Sequence, residues 1–166
     1  MTDCELMSAA IELAKQAAAD GEVPVGAVIA RRGEIVACGR NRREKDKNAL
    51  AHAEIEAINN ACRALGGWRL WECELFVTLE PCPMCAGAII NSRLKRVVFG
   101  AYDPKAGSCG SVNNLFLFPY NHSPELTGGF MEDECASLLK SFFALLRQSK
   151  REKQERKDKQ NEKRDS

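Results

Sequence analysis

Two short segments carry side chains that could do chemistry together. They are residues 51–54 (Ala-His-Ala-Glu) and residues 81–85 (Pro-Cys-Pro-Met-Cys). Imidazole nitrogen and thiolate sulfur are ligands that zinc prefers in proteins. Three such ligands leave one coordination position for water, which distinguishes a catalytic zinc site from a structural one. The carboxylate of Glu54 is then available to move protons instead of binding the metal.

The spacing of these residues restricts how they can meet. Cys82 and Cys85 are three positions apart, so on a helix they share one face. Pro83 suits the first turn of a helix and keeps Cys82 out of the helical region. His52 and Glu54 fall at the first turn of another predicted helix, and positions two apart do not face each other along a helix. Both therefore reach one ion only if two helix N-termini point at it, where partial positive charge favours thiolate.

Each segment alone is ambiguous. A histidine followed by an acid at a helix start is more often a packed or capping residue. A Pro-Cys-x-x-Cys sequence also occurs in redox motifs and structural zinc sites. Here the two segments open successive predicted helices with a strand between them, and this combination is the signature of zinc deaminases.

The elements that must position these segments alternate between helix and strand. The patterns predict helices over residues 3–20, 53–65, 82–92 and 132–147, the first capped by Asp3, and strands over 25–30, 34–38, 75–79 and 96–100. Residues 39–50 are predicted as a loop, and residues 101–126 as irregular with a short strand near their end. The first two strands form a hairpin. This order predicts an α/β fold, a three-layer α-β-α arrangement whose central mixed sheet of about five strands is flanked by helices. In open sheets of this kind, sites form beyond the C-terminal ends of strands, near the starts of helices. Both segments occupy such positions.

Charge is unevenly distributed along the chain. The net charge is +1, which is far from the strongly basic character of a typical nucleic-acid-binding domain. Basic clusters at residues 40–47 and 93–96 could still contact phosphates. Residues 148–166 hold eight basic and five acidic side chains and no apolar one. We expect them to form a charged C-terminal tail, either a solvated helix extension or a disordered end.

The eight cysteines need not form disulfides. Six lie outside the Pro-Cys-x-x-Cys segment, scattered through apolar or helical stretches. The N-terminal residues lack the pattern of a secretory signal, and no apolar run is long enough to cross a membrane. We therefore expect reduced thiols, a cytoplasmic location and no membrane partner.

Several further segments carry a resemblance to a known family. They are residues 22–28, 41–42, 51–54, 77–88, 97–107, 133–135 and 142–143. In these segments the chain resembles the bacterial tRNA-specific adenosine deaminases, of the cytidine deaminase-like superfamily. The zinc motif belongs to the whole superfamily, whereas residues 97–107 and Phe142-Phe143 point to the tRNA branch. The resemblance implies that residues 1–147 form a zinc-dependent deaminase domain.

The resemblance also implies a reaction. His52, Cys82 and Cys85 would hold one Zn²⁺ per subunit, and Glu54 would be the proton donor and acceptor. The reaction would be the hydrolytic deamination of adenosine to inosine at the wobble position, the first anticodon position, of tRNA. The partner would be the tRNA anticodon stem-loop, bound by a homodimer.

The resemblance assigns substrate contacts to eight further residues: Asn41, Val23, Ala53, Glu80, Asp103, Lys105, Phe142 and Phe143. Asn41 would bond a base edge, but an asparagine that merely ends a strand is an equal alternative. Asp103 and Lys105 would contact the tRNA backbone, or form a solvated Asp-Pro-Lys turn. Phe142 and Phe143 would offer a face to a neighbouring base, or serve the core.

Two other functions remain open. A deaminase of a free base or nucleoside, guanine or cytosine, would use the same zinc chemistry, although residues 97–107 argue against it. A non-catalytic zinc-bound RNA-binding module would need a fourth protein ligand. Neither His122 nor another cysteine stands at a convincing spacing to supply it.

Overall fold

The computed structural model describes all residues from 1 to 166. It contains four helices, α1 (Asp3–Ala19), α2 (Ala53–Leu65), α3 (Pro83–Ser92) and α4 (Glu132–Arg164). Its five strands are β1 (Gly26–Arg31), β2 (Glu34–Arg40), β3 (Cys73–Leu79), β4 (Arg96–Ala101) and β5 (Glu125–Thr127). One turn of 3₁₀ helix covers Leu115–Leu117.

The strands form one mixed sheet in the order β2-β1-β3-β4-β5. Strand β1 is antiparallel to both neighbours, whereas β3, β4 and β5 run parallel to one another. The β1–β2 hairpin turns at Arg32 and Gly33, which both have positive φ angles of 52° and 75°. Two consecutive positive φ angles are typical of a turn that matches the twist of paired strands. The predicted fold class is thereby confirmed.

Each face of the sheet carries its own apolar core. Helices α2 and α3 pack on one face, where Ile58 and Ile89 join the cluster that contains Val97. Helices α1 and α4 pack on the other face, where Met7 and Cys135 join the cluster that contains Val98. Val97 and Val98 are neighbours in β4 and point to opposite faces, as the alternation of a strand requires. The molecule therefore has the predicted three layers.

A glycine brings α2 close to the sheet. At Gly39 in β2, an added Cβ would lie 2.2 Å from the backbone oxygen of Ala53 and 2.6 Å from the backbone nitrogen of Ala57. Only glycine leaves room for this approach. The first turn of α2, which carries His52 and Glu54, is thereby held directly against β2.

The prediction that Asp3 caps α1 is wrong. Thr2 is the N-cap, since its Oγ1 accepts a hydrogen bond from the Glu5 backbone N–H at 3.2 Å. The Glu5 carboxylate in turn accepts from the Thr2 backbone N–H at 2.7 Å. This reciprocal capping box satisfies two N–H groups, whereas Asp3 instead pairs with Arg96.

Helix α4 continues well beyond the predicted end at residue 147. Its apolar periodicity stops there, but residues 148–164 remain helical, and all of them are exposed. They consist mainly of Lys, Arg, Glu and Gln, which are strong helix formers without any packing partner. The charged tail is therefore a helix extension. None of the four helices combines the length and the apolar character needed to cross a membrane.

Candidate active site

The candidate site lies where β3 ends and two helices begin. Cys82 is the N-cap of α3, with an extended backbone, and Pro83 occupies the first turn. His52 is the N-cap of α2 and is also extended. Neither side chain caps its own helix, and the Cys82 sulfur instead lies 3.6 Å from the His52 Nδ1 atom. The two helix N-termini converge, which is the geometry that the spacing predicts.

Three side chains form the one group in the chain that could hold a metal ion. Ligand atoms of His52, Cys82 and Cys85 all lie within 4.8 Å of one another. The Nδ1 atom of His52 is 3.6 Å from the sulfur of each cysteine. A tetrahedral zinc with Zn–S bonds of about 2.3 Å and Zn–N bonds of about 2.0–2.1 Å separates sulfur from nitrogen by about 3.6 Å. The donor set therefore fits zinc in both chemistry and spacing.

No fourth ligand completes the group. His122 lies elsewhere, with its Nε2 atom 2.7 Å from the backbone oxygen of Leu94. The further cysteines are also absent from the group. Because structural zinc sites have four protein ligands, this arrangement disfavours the non-catalytic zinc module.

Hydrogen bonding within the group shifts the pKa values of the two cysteines in opposite directions. Hydrogen bonds from the Cys85 thiol and from His52 lower the pKa of Cys82 to about 4, against the opposing effect of burial. The same hydrogen bond, together with burial, raises the pKa of Cys85. The lowered pKa favours the thiolate form of Cys82, and zinc binding requires both cysteines as thiolates. A thiolate beside an imidazole is the kind of environment that recruits a soft divalent metal.

Glu54 is the second residue of α2 and is only 3% exposed to solvent. Burial raises the pKa of its carboxyl, and the nearby Cys82 thiolate acts in the same direction. A raised pKa brings a carboxyl group closer to neutrality, where it can both accept and release a proton. Glu54 borders the metal-binding group without belonging to it.

A cavity of about 190 Å³ opens onto this group and is lined by His52, Glu54 and Cys82. Five of the eight predicted substrate residues also line it: Val23, Asn41, Ala53, Glu80 and Asp103. Sequence reasoning missed four others: Val25, Arg43, Leu79 and Ala106. Val25 and Leu79 could have been found, because they lie within two residues of the predicted site residues Val23 and Glu80. Val25 directly precedes β1, and Leu79 is the last residue of β3.

Comparison with known proteins identifies the family. A family profile described as MafB19-like deaminase matches residues 1–147. The tRNA-specific adenosine deaminase of Bacillus subtilis (strain 168) is 50% identical over 153 residues, which cover 91% of this chain and 95% of that protein. The chain belongs to the tRNA-specific adenosine deaminase family. The predicted resemblance is thereby confirmed.

Solved structures agree with this assignment. One, from a study of A-to-I editing by tRNA:A34 deaminases at the wobble position of transfer RNA, is 42% identical with a TM-score of 0.80. It covers 82% of this chain and 99% of its own. A guanine deaminase from Bacillus subtilis is 36% identical with a TM-score of 0.61, over 75% of this chain and 79% of its own. This chain is thus more similar to the tRNA:A34 deaminase than to the guanine deaminase, in both sequence identity and TM-score.

Asn41 of this deaminase is held by the backbone on three sides. Its N–H donates to the Val25 oxygen at 3.0 Å, and its Nδ2 donates to the Val23 oxygen at 3.2 Å. Its Oδ1 accepts from the Arg43 N–H at 3.2 Å. One amide hydrogen and one lone pair remain for a base edge. The strand-end interpretation and the base-contact interpretation are therefore compatible.

Three predicted contact residues lie outside the cavity of this deaminase. Lys105 is exposed, and its N–H donates to the Asp103 Oδ1 atom at 3.1 Å within a side-chain-stabilised turn. This is the alternative that the sequence left open. Phe142 and Phe143 stack edge-to-face with ring centroids 5.4 Å apart, and Phe143 is 40% exposed. Neither belongs to the cores, so their contact with a neighbouring base stays a prediction.

Proposed function

We propose that this chain deaminates adenosine to inosine at the wobble position of tRNA, using one zinc ion per chain. The observation that carries the proposal is the three-ligand group of His52, Cys82 and Cys85 beside the buried Glu54. Membership of the tRNA-specific adenosine deaminase family supports the reaction and the substrate. The incomplete ligand set supports catalysis over a structural role.

The residues divide the chemistry between them. When bound, zinc supplies a nucleophilic water by lowering the pKa of that water towards neutrality. Glu54 accepts the proton of this water and delivers it to the adenine ring nitrogen. The water oxygen bonds to the ring carbon that bears the amino group. Glu54 then takes the remaining proton from that oxygen and gives it to the amino group, so that the C–N bond breaks, ammonia departs and the carbonyl group of inosine remains. Its buried carboxyl, with a raised pKa, suits a group that must hold a proton between these transfers.

The cavity size suits a single base, whether free or flipped out of an RNA loop. Its volume of about 190 Å³ is below the range of about 300–1,000 Å³ for pockets that enclose drug-sized ligands. A single base fits, whereas the sugar, phosphates and neighbouring nucleotides must remain outside. Unpaired loop nucleotides cost less to flip than paired ones, which favours an anticodon loop. Asn41 would bond the base edge, while the backbones near Val23, Ala53 and Glu80 would frame it.

We test this function with purified protein whose zinc content is quantified. The substrates are an anticodon stem-loop with a wobble adenosine, free adenosine, free guanine and free cytosine. We expect about one zinc per chain and inosine from the stem-loop alone. Turnover of guanine with an inert stem-loop would keep the assignments of zinc and Glu54 but replace the substrate. No turnover of any substrate by the zinc-loaded protein would contradict the enzyme assignment.

A homodimer is part of the proposal, and an apolar surface supports it. Val112, Leu117, Phe118 and Tyr120 are each more than half exposed, and they lie in or near the 3₁₀ turn that packs beside α3. Exposed apolar residues grouped in this way are typical of an interface. We expect light scattering to give twice the 18.4 kDa chain mass. Leu117→Asp should give the monomer, whereas Leu145→Asp on the exposed part of α4 should not. A monomeric wild-type protein would contradict the dimer.

We also propose a cytoplasmic location. All eight cysteines are free thiols in the structure. Unpaired cysteines in this number favour a reducing compartment, which is also where tRNA is processed. Fractionation of cells that express the chain tests this location.

A further inference from the structure

Two buried carboxylates near the cavity take no part in the proton transfers proposed for Glu54. Glu22 and Glu80 are each 2% exposed, and neither forms an ion pair. A buried carboxylate without a cation is costly unless several hydrogen-bond donors surround it. In both cases those donors are mainly backbone N–H groups of a loop. Each carboxylate therefore holds a loop in place.

Glu22 holds the loop on one side of the cavity. Its Oε1 atom accepts hydrogen bonds from the backbone N–H groups of Glu44 at 2.8 Å and Lys45 at 3.1 Å. Its Oε2 atom lies 3.2 Å from the same Glu44 nitrogen. The loop begins with Asn41 and Arg43, which both line the cavity. The hydrogen bonds to residues 44 and 45 therefore restrain the segment that follows Asn41, and this helps to hold the Asn41 amide at the cavity.

Glu80 holds the loop on the other side. Its Oε1 atom accepts from the Asp103 N–H at 3.1 Å, and its Oε2 atom accepts from the N–H groups of Cys109 at 3.1 Å and Ser111 at 3.0 Å. The Ser111 hydroxyl donates to the same carboxylate. Gly107 lies so close that an added Cβ would be 2.3 Å from the Glu80 Cδ atom. The loop is thus folded around this one carboxylate.

We propose that Glu22 and Glu80 are positioning residues, which pre-order the two loops that receive the substrate. The inference rests on the proposed deamination of tRNA for its kinetic readout. Both oxygens of Glu80 accept hydrogen bonds from its loop. Replacing either glutamate by glutamine puts a donor NH₂ group against backbone donors, which releases the loop at nearly constant volume. The substrate must then order the loop when it binds, which weakens binding.

We test the proposal with the variants Glu22→Gln and Glu80→Gln, each loaded with zinc. Glu44→Gln is the matched control, because the Glu44 side chain is exposed and has no polar partner. We expect KM for the stem-loop to rise about tenfold or more in both variants, with kcat within about threefold of the wild type. A variant that was merely unstable would instead lose active enzyme, which lowers kcat and leaves KM unchanged.

Amide hydrogen exchange supplies a readout that does not depend on activity. In Glu22→Gln, exchange should accelerate about tenfold or more at residues 44 and 45 and stay unchanged at residues 103–111. In Glu80→Gln the pattern should reverse. If Glu80→Gln does not fold, Ser111→Ala removes one donor and should accelerate exchange in the same loop only. Wild-type exchange and KM in folded variants would overturn the proposal. If the wild-type protein makes no inosine, the proposed function fails, whereas exchange still decides the loop assignment.

Discussion

Replacing Glu54 by glutamine should separate catalysis from stability. Glu54 serves at two proton transfers, and a positioned acid or base contributes about 10²–10⁴-fold to a rate. The other two carboxylates of the cavity already hold loop backbone: both oxygens of Glu80 accept backbone N–H groups, and Asp103 Oδ1 accepts two more. We therefore expect Glu54→Gln to lower kcat about 10³-fold or more, which corresponds to about 4 kcal/mol of transition-state stabilisation.

The same substitution should not lower stability. Burial raises the pKa of the Glu54 carboxyl, which means that its charged form is disfavoured in the folded protein. Glutamine has nearly the same volume and no charge to bury. We expect an unchanged or higher unfolding temperature and an unchanged zinc content.

The assay follows inosine formation from the anticodon stem-loop beside zinc quantification and thermal denaturation. Glu44→Gln, at an exposed side chain without a partner, should match the wild type in all three. A Glu54→Gln protein with full zinc that keeps more than about a tenth of the wild-type kcat would refute the assignment. It would mean that the protons travel by another route.

Three further predictions concern the metal, a loop and the tail. Cys85→Ser should lower both the zinc content and the rate of inosine formation, because it removes a metal ligand. The control Cys62→Ser, on α2 and outside the ligand group, should change neither the zinc content nor the rate of inosine formation. Gly107→Ala should raise KM for the stem-loop at constant zinc content, because its Cβ would collide with Glu80 at 2.3 Å; an unchanged KM would show that the loop adapts freely. Ending the chain after Arg147 removes only exposed residues, so thermal denaturation should show a change in unfolding free energy within about 0.5 kcal/mol, and a larger loss would reveal an unseen contact.

The sequence predicts the metal-binding part of the site well because local rules govern it. Pro83 restricts Cys82 to the N-cap of α3, and the apolar pattern predicts α2 over the residues that the structure shows. Gly66, in the left-handed conformation that glycine favours, ends α2 at the predicted place. Once both helix starts are known, the three ligands can meet in few ways.

The walls of the cavity are less predictable because long-range hydrogen bonds shape them. Glu22 and Glu80 accept hydrogen bonds from backbone N–H groups 22 to 31 positions away along the chain. Because nearly every residue has a backbone N–H group, the residue types do not indicate which of these groups a carboxylate will bind. Glu22 could be taken for an ordinary surface acid, although it is buried. The end of α4 is left open by the sequence for another reason. Its last turns are helical without any apolar face, so hydrophobic periodicity cannot detect them.

The separate anchoring of the metal ligands and of the loops has a consequence for divergence. His52 and Cys82 belong to helices embedded in one apolar core, whereas each of the two loops depends on one glutamate for several of its backbone hydrogen bonds. Mutations in residues 42–48 or 102–111 can therefore alter which molecules enter while the reactive centre stays intact. A lineage could acquire a new substrate by small steps without passing through an inactive ancestor. The same independence offers a protein engineer two short segments to randomise, provided that Glu22 and Glu80 are kept.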